Sequence, residues 1–152
     1  MHKNTEIRNE IANILTVTGS GIKIFNSRLV ALPDSELPAI AIYTDTETAL
    51  KTLDELGYDR ESSVVIVCYV RGLDKIYSLP TGEKSVDEKL DNLFQFLEDR
   101  LLTQYQTLNK KVFRLNFTGV SGITSEPIGE NGIKLIAYTT WAARYNQQIA
   151  NT

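Results

Sequence analysis

Residues 24–47 read IFNSRLVALPDSELPAIAIYTDTE: two very short apolar runs, a turn bracketed by prolines, then a strictly patterned strand. Asn26-Ser27 separates Ile24-Phe25 from Leu29-Val30 at the spacing of a two-residue hairpin, and Asn tolerates the positive φ that such a turn requires. Leu32 and Leu37 each precede a proline, Pro33 and Pro38, whose ring disfavours the helical region for the residue before it. The chain therefore reaches residues 39–43 already extended. There Ala39 and Ala41 share one face with Tyr43, while Ile40 and Ile42 take the other.

Upstream, Thr5 is the expected N-cap of a first helix in which Ile7, Ile11, Ile14 and Leu15 form one buried stripe. Gly19-Ser20-Gly21 ends that helix, and without a following Lys-Ser/Thr pair the two glycines do not read as a phosphate cradle. Downstream, residues 45–61 are polar and acidic, with Leu50, Leu53 and Leu56 spaced by three; a short helix or an irregular excursion fits. Residues 63–70, SVVIVCYV, are β-branched and apolar on both faces, the pattern of a central strand covered on two sides, with loops or a neighbouring subunit as the alternatives for the second cover.

Ser85 with Glu88 three residues later is a capping box, and Val86, Leu90, Leu93, Phe94, Leu97, Leu101 and Tyr105 continue it as the apolar stripe of a long helix. Phe113, Leu115 and Phe117 alternate with Arg114, Asn116 and Thr118, so a strand with one buried and one wet face is expected. Gly119 and Gly122 mark a bulge or the end of that strand, and Asn131-Gly132 is a hairpin cue. In the long last strand, residues 133–145, Trp141 and Tyr145 share a face and Tyr138 takes the other. Two helices and about five strands make a single α+β domain, residues 1–152, with both helices packed on one face of a mainly antiparallel sheet.

The chain has 152 residues, enough for one core, with a net charge of −3 that gives no reason to expect general nucleic-acid affinity. No apolar run approaches the roughly 20 residues that span a bilayer, and residues 1–10 carry charges where a signal peptide would need its apolar core, so export is not expected. Catalytic chemistry is sparse. His2, the only histidine, is expected to be a solvated terminal residue, so it assembles no triad or Cys-His pair, and with one cysteine, Cys68, it makes no zinc site. Asp54-Glu55, Asp87-Glu88 and Glu98-Asp99 are sequence neighbours and diverge on a helix. The acidic set Asp45, Glu47, Asp54, Glu55, Asp59 and Glu61 lacks the fixed spacing of a calcium loop.

The stretches HKNTEIRNEIANIL (2–15), KIFNSRLVALPDSELPAIAIY (23–43), SSVVIVCYV (62–70), SVDEKLDNLFQFLEDRLL (85–102) and KLIAYTTWAARY (134–145) together resemble the tail terminator proteins of long-tailed phages, also called minor tail protein U. Residues 24–43 carry most of the likeness; 45–62 and 72–82 match poorly. The resemblance implies a non-enzymatic virion protein, made in the host cytoplasm, that caps the tail tube as a hexameric ring. Such a ring stops the tube protein from polymerising and offers a surface to the head-tail connector, with no cofactor, membrane or specific nucleic acid involved. The residues that qualify as candidate interface are Asp54, Glu55, Val65, Val67, Tyr69, Tyr138, Trp141 and Tyr145, because interfaces concentrate aromatic residues and an uncovered apolar strand face seeks a partner. Two alternatives stay open: a head-tail connector or neck protein, and a nuclease using the acidic residues with a metal ion.

Overall fold

A computed structural model of the chain describes residues 2–28, 36–54, 57–73, 84–129 and 132–148, with backbone only at 46–54, 57–59, 147 and 148. The elements are α1 (Lys3–Leu15), β1 (Lys23–Phe25), β2 (Ala39–Asp54), β3 (Gly57–Leu73), α2 (Val86–Glu98), a π-helical turn (Asp99–Gln104), β4 (Arg114–Ile128) and β5 (Gly132–Gln148). The strands form one sheet in the order β1-β2-β3-β5-β4, with β1 parallel to β2 and all other neighbours antiparallel. Because β3 and β4 both run antiparallel to β5, they are parallel to each other. The chain crosses from β3 to β4 through α2 and then returns as β5 between them.

Alternation sorts the side chains onto two faces. Ile40 and Ile42 of β2, Val64, Ile66, Cys68 and Val70 of β3, and Leu135, Ala137, Trp141, Ala143 and Tyr145 of β5 join the buried stripes of α1 and α2 in one core. Ile7, Ile11, Ile14 and Leu15 are the α1 contribution, and Val86, Leu90, Leu93 and Leu97 that of α2. The fold is α+β, with both helices packed against the sheet. Arg100, in the π-helical turn, ties the helices together by donating from Nε and Nη2 to the carbonyl of Ile14 at 3.1 and 2.8 Å, which also satisfies a C-terminal carbonyl of α1.

Local expectations are met unevenly. Ser85 is the N-cap of α2 and accepts a hydrogen bond from the Glu88 amide at 3.3 Å. Helix α1 starts earlier than its pattern suggests: His2, not Thr5, is the cap, its Nδ1 accepting from the Asn4 amide at 3.0 Å. An imidazole nitrogen can take the place of the usual hydroxyl or carboxylate there, so the terminal histidine has a structural use. Residues 45–54 and 57–61 are neither helix nor excursion but the outer half of the β2–β3 hairpin, paired as far as Asp54 with Gly57. Thr44, Thr46 and Thr48 alternate with Asp45 and Glu47, a β-branched period of two that outweighs the spacing of the leucines. Lys23–Phe25 pairs in parallel with Ala39, Ile40 and Ala41 instead of opening a hairpin; its expected partner, Leu29-Val30, lies outside the described residues.

Strand β4 departs most from expectation. Only Leu115 is buried, while Phe113 and Phe117 are 58% and 38% exposed, because β4 is the edge of the sheet and α2 does not extend over it. Gly119 and Gly122 do sit at bulges: the register shifts between Phe117 and Gly119 and again between Val120 and Gly122.

Candidate functional site

The face of the sheet away from the helices carries a second, smaller apolar cluster, in which Ala41, Val65 and Val67 are buried and Phe25, Tyr43, Tyr69, Ile136 and Tyr138 pack half-exposed around them. Register explains the grouping. Phe25, Ala41, Val67 and Tyr138 lie side by side across β1, β2, β3 and β5; Ala39, Tyr69 and Ile136 form the next row, and Tyr43, Val65 and Thr140 the row beyond. Small and β-branched residues in the middle leave room for the rings that surround them, so three tyrosines meet on a surface that no described helix covers.

The electrostatics reflect that crowding. Burial, then the neighbouring Tyr138 and Tyr43 hydroxyls, and lastly Cys68 push the Tyr69 hydroxyl above its ordinary value. At its rim the Arg28 guanidinium sits 3.8 Å from the centre of the Tyr43 ring and 3.7 Å from Asp45 Oδ1. Tyrosine rings bring large contact area with few rotatable bonds and a hydroxyl that stays hydrogen-bonded at a wet border, the chemistry of a protein docking surface.

Of the residues singled out in the sequence, the structure brings Val65, Val67, Tyr69 and Tyr138 together on this face. Trp141 and Tyr145 do not belong to it. Both lie in the helix-side core, 1% and 2% exposed, and an anchor role for them is corrected to a packing role by their position on the opposite face of β5. Trp141 Nε1 donates to Thr139 Oγ1 at 2.9 Å, Thr139 Oγ1 donates to the Ile66 carbonyl at 2.6 Å, and the Phe117 ring lies tilted against the indole at 4.9 Å. Asp54 ends β2, with its backbone alone described, and Glu55 lies outside the described residues. Phe25, Tyr43 and Ile136 belong to the patch and were missed as candidates. The grouping of Tyr43 with Ala39 and Ala41 was the available signal, since Ala41 becomes part of the floor of the cluster.

The chain matches no protein-family model and no curated protein. Among the described residues no three His, Cys, Asp or Glu side chains gather where they would hold a metal ion, and no helix is long and apolar enough to cross a membrane. Cys68 is buried on the helix side, where burial pushes its thiol up to about 12.

Proposed function

We propose that this chain is a structural tail protein of a long-tailed phage, a terminator that closes the end of the tail tube as a ring of six copies. The observation that carries the reading is the aromatic face that no described helix covers: Tyr43, Tyr69 and Tyr138 half-exposed over buried Ala41, Val65 and Val67. That is a rigid, uncharged surface suited to burial against another subunit, and it sits on the strands whose sequence resembles the terminator family. A ring of this kind works by complementarity: one side fits the last ring of tube protein, and the other offers no site for a further tube subunit but does accept the head-tail connector. The reading asks for no catalytic group and no metal ion.

Electron microscopy of tails assembled with and without the protein tests this directly. Expected are sixfold density at the head-proximal end of capped tubes, a ring of roughly 100 kDa from the 17.1 kDa chain, and abnormally long, headless tails when the protein is omitted. Tails of normal length in its absence that nevertheless fail to join heads would place the protein at the connector instead.

A further inference from the structure

The large apolar side chains that the described residues leave exposed belong to one strand or to the residue before it: Phe113, then Phe117, Val120 and Ile123 of β4. The two bulges gather the last three. Each adds one residue to β4 relative to β5, so these side chains, three apart rather than two, pair with Trp141, Thr139 and Ala137 and all fall on the helix-side face. They are 38%, 43% and 53% exposed and form the floor of a groove whose wall is α2. Gly72, level with Ile133 and so with Pro127 of β4, packs at the start of α2: a Cβ built on it would lie 3.4 Å from Val86 Cα. Near the other end of α2, Leu97 lines an apolar cleft of about 110 Å³ together with Phe94, Phe117, Val120 and Trp141. The helix therefore runs beside β4 along the whole floor.

That wall is acidic. Asp87, Asp91, Phe94 and Glu98 stand at i, i+4, i+7 and i+11, one flank of α2, and Phe94 and Glu98 line the cleft, which fixes that flank as the one facing β4. None of the three carboxylates is paired with a cation among the described residues. The floor itself is uncharged, since residues 115–125 read LNFTGVSGITS. Carboxylates along one side of an apolar floor select an occupant with an apolar stripe and cations on one flank. A second copy of this chain does not offer one: α1 and α2 spend their apolar stripes on the core, and the chain carries a net charge of −3. A strand laid on the floor would bury backbone N–H and C=O groups against apolar side chains, whereas a helix arrives with them satisfied. We propose that the groove between α2 and β4 takes a basic amphipathic helix of a partner protein. Its apolar stripe covers Phe117, Val120 and Ile123, and its lysines or arginines meet Asp87, Asp91 and Glu98. The floor follows β5 from Trp141 to Ala137, about 13 Å of strand, which a helix spans in about nine residues with apolar side chains at i, i+4 and i+7. The groove lies on the face opposite the tyrosine patch and does not rest on the ring reading.

Calorimetric titration of the full chain with a synthetic helix of about 18 residues tests it, the probe carrying leucines at i, i+4, i+7 and i+11 and lysines along one flank. Binding is expected with a Kd on the order of 10 μM in about 20 mM salt, weaker as salt rises, and with a shift in the emission of Trp141, which lines the cleft. Val120→Lys and Ile123→Asn, both at exposed positions and both checked for an intact fold by circular dichroism, each weaken it at least roughly tenfold. Asp91→Lys combined with Glu98→Lys weakens the lysine probe roughly tenfold and admits a probe with glutamates in place of the lysines. Tyr138→Ser, on the opposite face, binds the lysine probe as the wild type does, which keeps this result apart from tail capping. The proposal is overturned by absence of binding at about 1 mM lysine probe, or by equal binding of the glutamate probe or of a lysine probe with scrambled leucines to the wild type. Binding indifferent to Val120→Lys and Ile123→Asn overturns it as well.

Discussion

Cys68 shows how much one position of β3 commits. It is fully buried among apolar side chains, and burial alone pushes its thiol from 9.0 to about 12. The neutral thiol is therefore favoured in the folded chain. The stability this carries is complete below pH 9 and is lost as pH rises from 9 toward 12, on the order of 4 kcal/mol across the window. Tyr69, raised above 10.0 mainly by burial, drains stability in the same direction at higher pH. Urea unfolding should accordingly show Cys68→Ala about 1 kcal/mol less stable than wild type at pH 8, from the lost sulfur contacts, and more stable near pH 11. If the two curves stay parallel through pH 11, the thiol does not ionise on unfolding as argued. The sequence made Cys68 legible as a buried apolar residue, because it stands in an unbroken β-branched run; Trp141 was harder, since an aromatic near a strand end reads equally as packing or as anchor until the register places it.

At the scale of elements, the strands that alternate cleanly were readable and the strands with irregular backbone were not. The Ser85 N-cap of α2 and the two faces of residues 39–43 follow from local side-chain chemistry, and the structure keeps both. The edge strand β4 was misread because two bulges change its period from two to three, which no count of alternating residues anticipates; its glycines were the only sign. These two glycines are not equivalent. Gly119 has φ +141 and Gly122 has no positive φ, while a Cβ built on either meets nothing within 4 Å. Replacing Gly119 with Ala therefore costs backbone strain without collision, about 1–2 kcal/mol, and Gly122→Ala stays within about 0.5 kcal/mol of wild type. Equal effects in chemical denaturation would mean that the first bulge imposes no special conformation. Residues 46–54 carry the complementary lesson: alternating threonines outrank leucines at helical spacing once β3 offers a partner for pairing.

At the scale of the whole molecule, the sheet divides its labour between two faces. The helix side holds a single core reaching from Ile7 near the start of the chain to Tyr145 near its end, and the open side holds the tyrosine patch, whose members come from β1, β2, β3 and β5. Sequence reasoning recognised that an apolar strand such as 63–70 must be covered twice, but it had no means of telling which aromatics belong to which cover, because that depends on pairing between distant strands. The division predicts that stability and assembly separate by face. Trp141→Ala empties the centre of the core, with its indole packed on Phe117 and hydrogen-bonded to Thr139, and should cost about 3–5 kcal/mol, seen as a lower urea midpoint. Tyr138→Ser, on the open face, removes a half-exposed ring and should cost about 1 kcal/mol while abolishing the tube capping that the proposed terminator role requires. Since Trp141 is the only tryptophan, its fluorescence reports the core in both variants' parent and in Tyr138→Ser alike. Should Tyr138→Ser cap tubes normally, the aromatic face is not the assembly surface; should it unfold as readily as Trp141→Ala, the patch is a second core and the two faces do the same work.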